Sequence, residues 1–236
     1  MAMWSAPGDA LGELTERAES MPRSGPHDGA ATRRALLDAA SKLFATEGVA
    51  KVSVRAINAE AKLGAASTHY HFGSKDAILE AVLLDAGAGV LARIHDLAEQ
   101  AVESDRTLDA RELVDLLAVP YREFLSSDPV KASRWLSICG QLSLSNDPRL
   151  FPVEDNTTKL LYQLLERAYP EVGGDDISAK WSLAVNTLIV MAARWADANI
   201  SSEVPVDDGI SDALVDFVAG GLDALMRRPD RGSATS

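Results

Sequence analysis

The sequence predicts an all-α protein of about nine helices. An N-terminal three-helix unit containing a helix-turn-helix precedes a larger C-terminal helical domain. Three observations carry this reading. Apolar residues recur at helical spacing from Thr32 onward, no run of alternating β-branched residues marks a strand, and cap and turn residues punctuate the chain. With 236 residues, 47% of them hydrophobic, the chain has ample apolar surface to bury.

Residues 1–28 carry Pro7, Gly8, Pro22, Gly25 and Pro26 and read as a mobile or loosely helical arm. The first strong helix shows Leu36, Ala39, Ala40, Leu43 and Phe44 on one stripe and ends at Gly48, which takes a left-handed backbone without steric cost. Ser53 is the next start signal, with Val52 and Ile57 placed as a hydrophobic staple. This second helix breaks at Lys62-Leu63-Gly64. A third pattern runs from Ala65 to Phe72 and stops at Gly73, and Ser74 opens a long helix with Asp76 in its first turn. Further helices are expected at about 75–103, 109–127, 129–144, 154–169, 177–199 and 207–227, with a disordered tail over 229–236. The expected domains are thus 29–75 for the helix-turn-helix and 76–228 for the remainder.

Composition narrows the function. The longest apolar run, 183–193, is interrupted by Asn186 and Thr187 and is too short to span a membrane. Residues 1–28 lack the pattern of a signal peptide, and a single cysteine, Cys139, excludes an intrachain disulfide. A cytoplasmic protein with no membrane partner is expected. The net charge of −12 argues against general affinity for nucleic acid. Yet 33–80 holds seven cations against five anions, a net of +2 beside −14 for the rest of the chain.

The helix over Ala65–Phe72 has few large apolar residues, so it is expected to face something outside the core. In a helix-turn-helix the second helix of the pair enters the DNA major groove, and small or polar residues let it approach the bases. Ala65, Ala66, Ser67 and His69 suit that role. Arg55, one turn into the preceding helix, can bond a guanine with two hydrogen bonds, while Lys51, Ser53 and Lys75 flank the unit within reach of phosphates.

The stretch TRRALLDAASKLFATEGVAKVSVRAINAEAKLGAASTHYHFGSKDAILEAVL resembles the N-terminal domain of the tetracycline-repressor (TetR) family of bacterial transcriptional regulators. The motifs are LFA followed by a Gly, the S-V-R-x-I opening and the Y-H-F-x-S-K ending, over Thr32–Leu83. The resemblance implies a homodimer on a palindromic double-stranded DNA operator, and a C-terminal domain that binds a small inducer and dimerises through its last two long helices. By position, Ser53 and Lys75 are similar to phosphate-contacting residues of the family. Arg55, Ala65, Ala66, Ser67, His69, Tyr70 and His71 are similar to the groove-facing set. Four positions depart from the family pattern. Lys62 stands where Gly is usual, Gly64 where Ser or Thr is usual, Thr68 where Leu is usual and His69 where Tyr is usual.

In the C-terminal part, Tyr121, Phe124, Trp135 and Tyr162 read either as core or, together with Cys139, Leu142 and Asn186, as the lining of a ligand pocket for a hydrophobic molecule. Two apolar stripes, Trp181-Val185-Leu188-Ala192-Trp195 and Leu214-Phe217-Val218-Leu222-Leu225, are read as a dimer interface. A C-terminal domain serving as a protein-interaction module without a small ligand is the alternative. Paired-carboxylate, Ser/His/Asp, metal-ligand and phosphate-loop patterns are missing at usable spacing, so no catalytic residue, metal or cofactor is expected. His69 and His71, at i and i+2, do not share a helical face.

Overall fold

The computed structural model describes residues 26–150, 156–201 and 210–228, which form nine helices. The expected arm up to residue 25 and the tail 229–236 lie outside the described residues. Helix α1 (Pro26–Glu47) begins six residues before Thr32, with Pro26 at its first position, where the missing N–H costs no hydrogen bond. Its stripe from Leu36 to Phe44 is buried, and Gly48 ends it at φ 96°.

Helix α2 (Val54–Glu60) starts where Ser53 Oγ accepts the Ala56 amide at 3.2 Å. It ends in a Schellman motif. Lys62 N donates to Ala59 O at 3.0 Å and Leu63 N to Asn58 O at 2.9 Å, which puts Lys62 in the left-handed region at φ 57°. Helix α3 (Ser67–Phe72) is two residues shorter than expected, because Ala65 and Ala66 form the turn that leads into it. Gly73, at φ 81°, closes it, and Ser74 Oγ then accepts Ala77 N at 3.1 Å to start α4 (Lys75–Glu103).

The remaining helices are α5 (Ala110–Ser127), α6 (Pro129–Leu144), α7 (Asn156–Ala168), α8 (Gly174–Ser201) and α9 (Asp212–Met226). An Asp109–Glu112 capping box opens α5, and Asp128 caps α6 ahead of Pro129. α6 packs tightly against α8, since a Cβ at Gly140 would collide with Ala193. Among the described residues, no helix is long and apolar enough to cross a membrane.

Buried side chains fall into two clusters. One joins α1, α2 and the start of α4 through Leu36, Phe44, Ile57, Ile78 and Leu79. The other fills the remaining helices around Leu113, Leu136, Leu165 and Leu188. α4 runs through both. So does α6, which sends Ile138 and Leu142 into the first cluster and Trp135, Leu136 and Cys139 into the second.

Candidate nucleic-acid interface

Helix α3 has only six residues, too few to be stable alone. Its position is set by its neighbours. Thr68 is fully buried and Phe72 half-buried against α1, while Ala65, Ala66, His69 and Tyr70 face outward, Tyr70 with 84% of its surface exposed. The structure therefore brings these groove-facing candidates to one exposed region, with Ser67 and His71 half-buried beside them. The His71 ring meets the Tyr70 ring edge-on at 5.0 Å.

His69 Nδ1 lies 3.0 Å from the Gly73 carbonyl. A carbonyl can only accept, so Nδ1 is the donor in this bond. Arg55 is exposed on α2. Ser53 uses its hydroxyl as the α2 cap, and the Lys75 ammonium donates to Ala50 O at 3.3 Å, so both have structural bonds besides any phosphate contact. Among nearby cations, Lys42 is paired with Glu60 at 2.6 Å, and Arg33 lies 4.8 Å over the Phe72 ring.

Asn58 belongs to this unit although its type and position gave no signal. Buried at 2% exposure on α2, it accepts from Thr68 N at 3.1 Å and Thr68 Oγ1 at 2.9 Å and donates to Ala65 O at 3.0 Å. Thr68, which stands where the family pattern usually has Leu, turns inward to meet it. The pairing shows only once α2 and α3 are folded together.

The exposed short helix, held on two supporting helices at the positive end of an acidic chain, defines a helix-turn-helix protein. Residues 36–82 match the family model of the bacterial regulatory proteins of the tetR family. The match covers the helix-turn-helix unit and the start of α4. An HTH-type transcriptional repressor from Mycobacterium tuberculosis and an HTH-type transcriptional regulator from Mycobacterium bovis are each 33% identical to it over 107 residues. The chain spans about half the length of these curated relatives, with 43% of its own residues matched to 57% of theirs. A solved structure of a mutant HlyIIR protein shares the fold at a TM-score of 0.51 and 16% identity, covering 85% of this chain and 100% of the other.

The candidate ligand residues are not all brought together. Tyr121, Phe124 and Trp135 form an edge-to-face group with centroids 5.9 and 6.1 Å apart, and Cys139 is buried beside them. Burial pushes the Cys139 thiol and the Tyr121 hydroxyl well above their ordinary values, so both are neutral. Leu142 instead joins the first cluster, against α1. Tyr162 shares a hydrogen bond with Ser178 at 3.0 Å, and Asn186 accepts one from Ser143 at 2.5 Å, so neighbouring helices satisfy both polar groups. None of the seven lines the cleft of about 580 Å³ at the α7–α8 turn, which is bounded by Tyr169, Lys180, Met226 and Arg227.

The expected interface stripes need correction. Trp181, Val185, Leu188, Ala192, Val218 and Leu222 are buried within the subunit's own core, because the most apolar face of each helix packs on its own chain. Trp195, Leu214 and Leu225 are half-buried. Of the ten residues only Phe217 is broadly exposed, at 73%, and Leu183 and Met191 on α8 also face outward.

Proposed function

We propose that the protein is a homodimeric transcriptional repressor that places α3 of each subunit in successive major grooves of a palindromic operator and releases it when a small hydrophobic molecule binds its C-terminal part. The observation that carries the DNA-binding half is the exposed, small-and-polar surface of Ala65, Ala66, His69 and Tyr70 beside Arg55. Arg55 would bond guanine, and Ser53, Lys75 and the amides at the start of α4 would hold phosphates.

Exposed apolar side chains on α8 and α9 support dimerisation there. Leu183, Met191 and Phe217 would be covered, and the exposed pair Gly220-Gly221 would let two copies of α9 approach closely. The inducer would enter by parting the Tyr121, Phe124 and Trp135 rings. Its effect would reach α1 through α6, which touches both buried clusters, and through α4. DNA and inducer would then oppose each other by about 1–3 kcal/mol, equally in both directions.

Selection of binding sites from randomised duplex DNA with the purified protein tests this reading. A twofold-symmetric site with half-sites about one helical turn apart is expected. Recovery of no enriched sequence would overturn it.

A further inference from the structure

We infer that Asn58 is a positioning residue for operator recognition: it caps the DNA-reading helix from the neighbouring helix and fixes its pitch without touching DNA. The inference rests on α3 being the reading helix. The N-cap position of α3 is Ala66, whose side chain has no acceptor, and no side-chain cap bond forms within the helix. The first helical amide, Ser67 N, is satisfied by Gly64 O at 3.0 Å. The second, Thr68 N, is an orphan donor of the kind a Ser, Asp or Asn at the N-cap normally satisfies. Here Asn58 Oδ1 fills that place from α2, at 3.1 Å.

The remaining bonds make the cap directional. Oδ1 also accepts from Thr68 Oγ1 at 2.9 Å, and Nδ2 donates to Ala65 O at 3.0 Å. One buried amide therefore holds two residues on opposite sides of the α3 start, which fixes both its height above α2 and its tilt. Ala65, one of these two anchors, is itself a groove-facing candidate. An apolar contact at Thr68 would hold the helix down but would leave it free to roll. The lower half of α3 is secured separately, by Phe72 packed against α1.

A shift at the start of α3 moves base contacts more than phosphate contacts, because base edges must be met by directed hydrogen bonds. Loss of Asn58 should therefore reduce discrimination rather than electrostatic attraction. The test is a fluorescence-anisotropy titration of the full-length chain and its Asn58→Ala and Thr68→Val variants. Each is titrated with the duplex recovered by site selection and with a scrambled duplex at the same salt.

Asn58→Ala should weaken operator binding by about tenfold while scrambled-duplex affinity changes by less than about twofold. Thr68→Val removes only the hydroxyl bond, keeps the amide bond and the shape, and should give a smaller loss of the same kind with a small drop in melting temperature. If Asn58→Ala does not fold, the Thr68→Val ratio decides the matter. Parallel loss on both duplexes, or no loss on either, would overturn the role of Asn58. Failure of the wild-type chain to prefer any duplex would instead overturn the DNA-reading assignment beneath it.

Discussion

Gln141 on α6 accepts the Val49 backbone amide at 2.7 Å, just past the C-terminus of α1. The same side chain donates to Phe44 O at 3.0 Å, so one amide satisfies a donor and an acceptor at a helix end. Ser137 adds a bond to Ala45 O at 3.3 Å, and Arg134 pairs with Asp38 at 2.8 Å. α6 thus grips the helix against which α3 packs. α4 links the two parts of the chain, and α6 forms a second link. Gln141→Leu would remove both bonds and leave Val49 N without its acceptor in a half-buried place, and should destabilise by about 1–3 kcal/mol. Chemical denaturation of the variant measures this, and an unchanged midpoint would show that water replaces the amide.

Lys62 sits at φ 57°, in the position of the α2 Schellman motif that glycine usually occupies. Its side chain is exposed, so the strain brings no visible packing return. Lys62→Gly should raise stability by roughly 0.5–1 kcal/mol. Loss of stability in thermal melts would mean that the lysine side chain contributes a contact that outweighs the backbone strain.

Arg149 donates to Asp76 at 2.8 Å and to Asp147 at 2.6 Å, tying the first turn of α4 to the segment after α6. The hydrogen bonds from Arg149 hold the Asp147 carboxyl below the usual carboxylate range. A depressed value stabilises the fold above the unfolded value of about 4, and that contribution is lost as pH falls through the folded one. The stability difference between the wild-type chain and Arg149→Ala should therefore be full at neutral pH and shrink below about pH 4. A difference independent of pH in urea titrations would contradict this origin.

Phe217 exposes 73% of its surface on α9 near Gly220 and Gly221. Placing a charge there should split a dimer formed through this face. Phe217→Glu is expected to run as a monomer in light scattering at micromolar concentration, with its helical content intact. A variant that remains dimeric would move the interface elsewhere.

Much of the fold was legible because each helix of the N-terminal unit carries its own local signals. Ser53, Ser74, Gly48 and Gly73 mark ends that the structure reproduces, and Lys62 already stood out as a non-glycine in a left-handed turn. Asn58 and Gln141 were not legible, since their partners lie on other helices, for Gln141 some 92 residues away. A polar residue in an amphipathic helix reads as solvent-facing until the facing element is known. The C-terminal stripes misled for a related reason. Periodicity finds the most apolar face of α8 and α9, and that face belongs to the subunit's own core, whereas the outward face holds scattered apolar residues among small ones.

The central claim is that the outward surface of α3, with Arg55, reads DNA. Its most direct test is a titration of the wild-type chain, Arg55→Ala and His69→Ala against the selected operator, with melting temperatures measured in parallel. Both side chains are exposed, so neither truncation should lower the melting temperature, while each should weaken binding by about tenfold or more. Unchanged operator affinity in both variants would contradict the claim.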